Sequence, residues 1–269
     1  MNNETALSCE TPVGYINAGG RGTRLNGLFT PNPNTGIAKA LLSIGDPEVR
    51  LIDHHVANLR QQNIERVVIA AGDQPDVYEY VRDVYADDSA LTVTRSVDQL
   101  GTGGDLVEYA RSVESKSPLL IQNVDTILDI ELQDFFGYFV AKRRLGALAV
   151  IALTLNKGVP NEGAYAVAND GLVLHSSEFG SSNEEEKVDN YRASSTGAVL
   201  MDIESIKSRP WRRQDGQLSL YGDCLDSVWR RNSLYAYNNQ YRFFRDVGTI
   251  ATWQASLSDL ELQSQLRYN

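Results

Sequence analysis

The sequence predicts an α/β fold in which helices flank a mostly parallel, twisted sheet, with a smaller and more antiparallel part in the second half. Two observations support this class. Through residues 12–145, short apolar runs alternate with segments of helical spacing, a pattern that implies βαβ units. From about residue 146 onward, apolar runs instead flank Asn169-Asp170-Gly171, which is a strong hairpin signal.

The first half is predicted to contain four strands and four helices in alternation. The strands are expected at Val13–Ala18, Arg66–Ala71, Leu91–Thr94 and Leu119–Asn123. The helices are expected at Leu51–Gln62, Pro75–Tyr85, Gly103–Ser115 and Ile130–Arg144. Parallel sheets of this kind bind ligands at the carboxyl ends of their strands, so we expect functional residues directly after these strands.

The second half is predicted to add further strands and helices without starting a new domain. The strands are expected at Ala147–Thr154, Ala164–Ala168, Leu172–His175, Gly197–Met201 and Leu234–Tyr237. The helices are expected at Leu218–Arg231 and Thr249–Leu260, and the acidic, serine-rich stretch Ser181–Asn190 predicts a loop. Because no internal repeat or linker divides the chain, a single domain over residues 1–269 is predicted.

The bulk composition excludes several classes of function. The 269 residues carry a formal net charge of −10, whereas a protein that binds the phosphate backbone of DNA or RNA needs a basic surface. Residues 1–11 are polar, unlike a signal peptide, and no apolar run reaches the length of a membrane span. Cys9 and Cys224 match no metal or redox spacing. We therefore expect a cytoplasmic protein with no nucleic-acid or membrane partner.

A glycine-rich loop, Asn17–Leu25, follows the first predicted strand. It does not match the dinucleotide fingerprint, because the last small residue is missing, and it lacks the Gly-Lys-Ser/Thr end of a P-loop. Its backbone N–H groups are nevertheless suited to phosphate oxygens, and Arg24 adds a permanent planar cation. The alternative is a tight turn whose arginines are solvated.

Several short segments occur in an order and at separations that are specific as a set, although each alone is weak. They are Gly19–Leu25, Leu100–Gly104, Gln122–Thr126, Leu234–Tyr237 and Asp246–Thr249. With Lys39 and the apolar run after it, they resemble the signature of the sugar-1-phosphate nucleotidyltransferases over nearly the whole chain. The likeness is greatest to guanylyltransferases that act on heptose- or mannose-1-phosphate. It implies a Rossmann-like fold, with a nucleotide-binding half at 12–145 and a sugar-binding half at 146–269.

The resemblance implies that a sugar-1-phosphate oxygen attacks the α-phosphorus of a nucleoside triphosphate and that pyrophosphate leaves. Because both reactants are polyanions, such a protein mainly positions them and offsets charge. By resemblance, Arg24, Lys39 and Asp125 are catalytic, and Asp125 and Asp246 hold Mg²⁺, which prefers carboxylate and phosphate oxygens. The alternatives are a surface lysine at position 39 and helix-cap or turn aspartates at positions 125 and 246.

The segment between Arg24 and Lys39 departs from the family pattern in two ways. Ala40 replaces the proline that follows the family's lysine. The segment is also longer than usual, and its surplus contains Pro31 and Pro33. A flap over the site and a tolerated surface insertion are both consistent with this surplus.

The resemblance assigns further residues to the two substrates. Nucleotide-binding residues are expected to be Ala18, Gly19, Gly20, Gly22, Thr23, Gly101 and Thr102. Sugar-binding residues are expected to be Gly163, Glu178, Ser195 and Thr196. Other members of the family contact the edge of the base near the position of Ser96, but the sequence does not fix the register there. Glu178 is alternatively a surface carboxylate. Phe179 stands in place of the family's lysine and Ser195 in place of its asparagine, so an unusual sugar or a related polyol phosphate stays open.

The implied partners are a nucleoside triphosphate, with GTP favoured, and a sugar-1-phosphate. Thymidylyl or uridylyl transfer to a hexose-1-phosphate is the main alternative, and a non-sugar phosphate such as phosphocholine is another. A catalytically inactive regulatory subunit on the same fold is disfavoured, because Arg24, Lys39, Asp125 and Asp246 are all present. Homo-oligomer formation is left open.

Overall fold

The structure, a computed structural model, describes residues 11–20, 38–44, 46–96, 98, 100–155, 165–176, 193–209, 211, 216–238, 244–255 and 258–259. The strands are β1 (Val13–Asn17), β2 (Ser43–Ile44), β3 (Asp46–Arg50), β4 (Val67–Ala70), β5 (Leu91–Thr94), β6 (Leu119–Asn123), β7 (Thr126–Leu128), β8 (Ala149–Leu155), β9 (Tyr165–Val167), β10 (Val173–Ser176), β11 (Ala193–Met201), β12 (Leu234–Asn238) and β13 (Phe244–Asp246). The α-helices are α1 (Leu51–Gln61), α2 (Pro75–Val84), α3 (Gly101–Ser112), α4 (Leu132–Arg143), α5 (Ile203–Lys207) and α6 (Asp226–Trp229). A 3-10 turn spans Lys39–Leu41, a π-helical turn spans Leu220–Leu225, and residues 250–255 are helical.

Parallel strands form the centre of the main sheet, in the order β6-β1-β4-β5. Strands β1 and β4 are buried along their whole length, which explains their continuous apolar sequence. Because these four strands all run in the same direction, their carboxyl ends lie along one edge of the sheet. The prediction of a mostly parallel sheet flanked by helices is therefore confirmed.

The second half of the chain extends the same sheet with antiparallel strands. Strand β11 pairs with β6 in antiparallel register and joins β8 and β9 to the sheet. Beyond these, β10 pairs with β9, and β12 runs parallel to β8. The antiparallel part is thus a continuation of the central sheet, and β11 lies next to the strand that ends at Asn123.

Two apolar clusters cover the two faces of the sheet. Successive side chains of β1 alternate between them: Tyr15 belongs to the cluster that contains α3, α5 and α6 side chains, and Ile16 to the cluster that contains α1, α2 and α4 side chains. Both residues are fully buried. In the described part of the chain, no helix combines the length and the apolar character that crossing a membrane requires.

The structure differs from the sequence prediction in several places, among them the hairpin of β2 and β3 and helix α5, which were not predicted. The segment predicted as one helix, Leu218–Arg231, is a π-helical turn followed by the short α6, and Ser219 caps the turn by accepting from Gly222 N. Strand β11 begins four residues earlier than predicted, at Ala193. The prediction also omitted the small antiparallel ribbon of β7 and β13, because strands of three residues are too short to show a periodicity.

Candidate active site

A cavity of about 330 Å³ opens at the carboxyl edge of the four parallel strands. It is lined by Asn17, Gly19, Gly20, Lys39, Gly72, Asp73, Ser96, Asp98, Leu100, Gly101, Thr102, Asp105, Asn123, Val124, Asp125, Gln217 and Tyr221. Each of the four strands contributes the residues that follow it, as expected for an open α/β sheet. The cavity therefore brings together residues that lie far apart in the chain, from Asn17 to Tyr221.

Lys39 and Asp125 form an ion pair in the wall of this cavity. The Lys39 Nζ lies 2.7 Å from Asp125 Oδ2, and Lys39 is only 7% exposed. The 3-10 turn that begins at Lys39 directs this side chain inward, so the alternative of a surface lysine is wrong. Nor does Asp125 cap a helix, because the chain continues into β7, and the residue that precedes α4 is Glu131.

The ribbon of β7 and β13 places Asp246 beside this ion pair. Asp246 is the register partner of Thr126, and Val247 N donates a hydrogen bond to Asp125 O over 2.8 Å. A Cβ added to Gly248 would lie 2.5 Å from Asp246 Oδ1 and 3.6 Å from Lys39 Nζ. Asp246 Oδ1 also accepts a hydrogen bond from Gly248 N, which is the contact that a turn aspartate makes. The alternative role of Asp246 as a turn residue therefore holds for this oxygen. Two carboxylates and one ammonium group thus converge at the carboxyl end of β6.

His55 supports the backbone that carries Asp125. It lies on α1 and is buried, and its Nε2 is 3.1 Å from the carbonyl oxygen of Val124. Burial lowers the pKa of His55 from its ordinary value, so the ring is neutral near pH 7 and Nε2 carries the donated proton. His55 therefore fixes the loop next to Asp125 without adding a charge to it.

The donor set suits a hard divalent cation that is completed by a substrate. Among the described residues, no group of three or more His, Cys, Asp or Glu side chains is arranged as a metal cage. Mg²⁺ does not need one, because it usually binds one or two protein carboxylates together with phosphate oxygens and water. Asp125 provides a carboxylate of this kind in the cavity wall, and Asp246 provides a second one next to the Lys39–Asp125 pair.

The glycines of the first loop have different roles. A Cβ on Gly19 would lie 2.9 Å from Gly72 Cα, so Gly19 is required for the close approach of the loops after β1 and β4. A Cβ on Gly20 would have no atom of the described residues within 4 Å, and Gly20 is exposed at the cavity. Ala18 is buried, and its N–H donates to Ala70 O as part of the sheet. The N–H of Ala18 is thus committed to the fold, contrary to the expectation that it binds nucleotide.

The start of α3 is fastened to the segment before the π-helical turn. Gly101 has a φ of +74°, and a Cβ there would lie 2.5 Å from Leu218 O. Thr102 Oγ1 accepts a hydrogen bond from Leu220 N over 3.1 Å. Both residues line the cavity as expected, and their contacts show that Gly101 and Thr102 also hold its wall together.

A polar chain connects the cavity to β11 on the far side of β6. Asn123 Nδ2 donates to Tyr221 OH over 3.3 Å, and Tyr221 OH lies 3.2 Å from Ser195 Oγ. Thr196 is buried, and its hydroxyl donates to Ala152 O, so the structure commits this hydroxyl to the sheet rather than to a ligand. Of the two β11 residues expected at the sugar, only Ser195 reaches the cavity wall, through Tyr221.

Several residues that the resemblance assigned lie outside the described residues. They are Gly22, Thr23, Arg24, Gly163 and Glu178. The long segment with Pro31 and Pro33 lies outside them as well. Their roles stay predictions.

Residues 14–155 match the MobA-like NTP transferase domain. The chain belongs to this family. The matched residues run from β1 to β8 and so include the glycine loop, Lys39, the start of α3 and Asp125, but not Asp246. All four strand ends that surround the cavity thus lie within the family's sequence pattern.

Known relatives of this NTP transferase domain act on sugar phosphates. The chain is 34% identical over 129 residues to the mannose-1-phosphate guanyltransferase of Kluyveromyces lactis, a match that covers 45% of this chain and 34% of the relative. It is 33% identical over 139 residues to the enzyme of that name from Candida albicans, a match that covers 50% and 36%. The chain thus spans about a third of the length of these curated relatives.

Solved structures share the fold of this NTP transferase domain over nearly its whole length. HddC from Yersinia pseudotuberculosis, complexed with GMP-PN, superposes with a TM-score of 0.69 at 18% identity, over 93% of this chain and all of that one. A putative glucose-1-phosphate thymidylyltransferase from Bacillus anthracis, in complex with sucrose, gives 0.71 at 19% identity, over 92% and 94%. At these identities the likeness concerns the fold.

Several residues of the NTP transferase cavity received no individual role from the sequence. Asn123 belongs to the segment Gln122–Thr126 that carries part of the resemblance, but it was given no role of its own, and Tyr221 lay inside a predicted helix without a role. Gly72, whose φ is +56°, was noted only as the end of a strand, yet its backbone packs against Gly19. The position of Asn123 and Gly72 after parallel strands was a usable signal, whereas nothing local marks Tyr221.

The two loop glycines allow a paired test in the NTP transferase domain. We expect Gly19→Ala to lower the free energy of unfolding by about 1–3 kcal/mol, because its Cβ would meet backbone atoms of Gly72. Gly20→Ala should leave stability within about 0.5 kcal/mol and instead weaken nucleotide binding, because its methyl group would stand at the open cavity. Urea denaturation and calorimetric titration with Mg²⁺-GTP measure the two effects. Equal stability losses would contradict the assigned difference.

Proposed function

We propose that this protein transfers a nucleoside monophosphate from a nucleoside triphosphate to a sugar-1-phosphate and releases pyrophosphate. GTP is the favoured nucleotide, and a heptose- or mannose-type sugar-1-phosphate is the favoured acceptor. The observation that carries the proposal is the ion pair of buried Lys39 with half-buried Asp125, with Asp246 beside it, in a cavity at the carboxyl edge of a parallel sheet. Family membership and the names of the curated relatives support it.

The charges at this site match the requirements of the reaction. A phosphate oxygen of the sugar-1-phosphate forms a bond to the α-phosphorus while the bond to the β-phosphate oxygen breaks, and pyrophosphate leaves with the electron pair. Negative charge therefore moves toward the leaving group, and fixed cations there stabilise the transition state. Lys39 supplies such a cation from a position that the cavity wall shields from water. Arg24 is proposed as a second one.

Mg²⁺ is the proposed cofactor, held by Asp125 and Asp246. When bound, it neutralises phosphate charge and polarises a phosphoryl oxygen. In the protein alone, Asp125 is paired with Lys39, so the carboxylate already has the orientation that it needs and the ammonium group is kept next to it. The protein's own contribution is to hold these groups in place before the substrates arrive.

The sheet order supports separate positions for the two substrates. The loops after β1, β4 and β5 extend to one side of Asp125, and β11 with Ser195 lies on the other side of β6. We therefore place the nucleotide across β1, β4 and β5, and the sugar-1-phosphate toward Ser195 and Tyr221. The sugar then reaches the α-phosphate near Lys39.

Tyr221→Phe tests the position of the sugar. We expect the KM for the sugar-1-phosphate to rise by about 3- to 10-fold, because the lost hydroxyl bridges Asn123 and Ser195, while the KM for the nucleotide stays within about 2-fold. Tyr138→Phe is the matched control, since it removes one hydroxyl that donates to Ala236 O, away from the cavity. A rise in the nucleotide KM alone would place the sugar elsewhere.

A pyrophosphate-release screen tests the function itself. ATP, CTP, GTP, UTP and dTTP are each combined with a panel of sugar-1-phosphates in the presence of Mg²⁺. We expect release with GTP and at least one heptose- or mannose-type sugar-1-phosphate. Release only with dTTP or UTP would identify the thymidylyl or uridylyl alternative. No release with any pair, by a protein that still binds nucleotide, would contradict catalysis and favour a regulatory role.

A further inference from the structure

The two ends of the cavity differ in charge. At the end formed by β6 and β1, the described lining includes Lys39 and its ion-pair partner Asp125, whose charges balance. At the end formed by β4, β5 and the first turns of α3, the described lining residues include Asp73, Asp98 and Asp105 but no lysine or arginine. Adjacent strands are about 4.8 Å apart, so the three steps from β6 to β5 separate these ends by about 14 Å.

This separation orients a nucleotide in the cavity. Its phosphates are polyanionic, so they are attracted by Lys39 and repelled by the three carboxylates. The base is the uncharged part of the ligand and is rich in N–H donors. It therefore lies at the acidic end, beyond the loops after β1 and β4.

Asp105 is the carboxylate at that end whose position is best fixed by its neighbours. Asp105 lies in the first half of α3, and Ser96 Oγ donates a hydrogen bond to Asp105 Oδ1 over 2.7 Å. A Cβ on Gly72 would lie 3.3 Å from Asp105 Oδ2, so the absence of a side chain at Gly72 lets Asp105 pack against the loop after β4. Each carboxylate oxygen accepts more than one hydrogen bond. Asp98, by contrast, is exposed.

The chemistry of the bases distinguishes which nucleotide suits such a group. Guanine presents two adjacent donors, N1–H and the 2-amino group, on one edge, and a carboxylate offers two acceptor oxygens to match them. Uracil and thymine present a single N–H between two carbonyl oxygens, which a carboxylate repels. Adenine and cytosine place a ring-nitrogen acceptor next to their amino group, with the same result.

We propose that Asp105 is the specificity-determining residue that selects guanine, with its carboxylate accepting from the N1–H and 2-amino groups of the base. The proposal rests on the proposed function in that the cavity must bind a nucleoside triphosphate. It adds a named residue and a reason for GTP over other triphosphates. Ser96 positions the carboxylate through its hydroxyl.

The decisive comparison is between GTP and ITP, which differ only in the 2-amino group. We expect wild-type protein to bind Mg²⁺-GTP about 10- to 100-fold more tightly than Mg²⁺-ITP, because a hydrogen bond to a charged group is lost. In Asp105→Asn this ratio should fall to within about 3-fold, because the amide NH₂ repels one guanine donor. The matched control is Glu108→Gln, one turn later on α3 and not in this cavity's lining, which should keep the wild-type ratio.

Binding by calorimetry and kcat/KM for pyrophosphate release are measured on the same proteins, together with thermal unfolding. Equal wild-type affinity for GTP and ITP, a preference for dTTP or UTP, or an unchanged ratio in folded Asp105→Asn would overturn the role of Asp105. The wild-type comparison needs no variant, so it decides even if Asp105→Asn is unstable. If the protein bound GTP with a preference that depends on Asp105 but released no pyrophosphate, only the transfer reaction would be refuted.

Discussion

Asp125→Ala is expected to lower Mg²⁺-dependent pyrophosphate release by at least about 10²- to 10³-fold, the loss typical when one fixed charge-stabilising group is removed. The substitution removes a proposed metal ligand and also the partner of Lys39, whose Nζ lies 2.7 Å away. The fold should persist, because the Asp125 side chain is 24% exposed and is not part of the apolar core. Steady-state kinetics over a Mg²⁺ titration give the measurement.

The two roles of Asp125 can be separated by a double-mutant cycle. If Asp125 acts only by holding Lys39, the variant that lacks both side chains should be no slower than Lys39→Ala alone. If it binds the metal, the double variant should be slower, and Asp125→Ala should need more Mg²⁺ for half-maximal rate. Asp83→Ala, an exposed aspartate on α2, is the control for loss of one charge. Wild-type turnover in Asp125→Ala would show that the metal assignment is wrong.

Gly101→Ala is expected to cause the largest loss of stability among the glycine substitutions, about 2–5 kcal/mol in the free energy of unfolding. Gly101 has a φ of +74°, which L-residues other than glycine rarely adopt. In addition, the new Cβ would lie 2.5 Å from Leu218 O, a backbone atom that also accepts from Gly103 N. The variant should therefore detach the start of α3 from the wall of the cavity.

Gly146→Ala separates these two causes. Gly146 also has a positive φ, +95°, but within the part of the chain that the structure describes, a Cβ there would have no atom within 4 Å. It should therefore show the backbone cost without the steric clash. Urea denaturation of both variants measures the difference, which we expect to be about 1–3 kcal/mol. If the two variants lost the same stability, the approach to Leu218 would not matter.

The sequence predicted the central sheet well, because most of its parallel strands contain apolar runs that alternate with segments of helical spacing, although β5, Leu-Thr-Val-Thr, is only partly apolar. Strands β5 and β6 were predicted to the residue. The ribbon of β7 and β13 was not predicted, since its pairing joins Thr126 to Asp246 across more than 100 residues and each strand has only three. Its consequence, that Asp246 lies beside Asp125, came only from the resemblance to the family.

The site was predicted less evenly than the fold. The sequence suggested that the loop glycines approach a phosphate. In the structure, Gly19 is also required for packing against Gly72, and no local sequence pattern predicts that contact. Thr196 was expected at the sugar and is instead buried with its hydroxyl on Ala152 O, because one-residue steps along a strand reverse the face. Tyr221 was missed because its role depends on Asn123 and Ser195, which only the fold brings near it.

The late position of Asp246 in the chain has a consequence for biosynthesis. A ribosome exposes β1, β4, β5 and β6 long before residue 246, so the parallel sheet and its cavity have their own strands early in translation. The second carboxylate arrives only when β13 pairs with β7, a contact of high sequence separation that forms slowly. Under the proposed assignment of the metal ligands, a nascent chain therefore contains the strands around the cavity before it gains its second carboxylate.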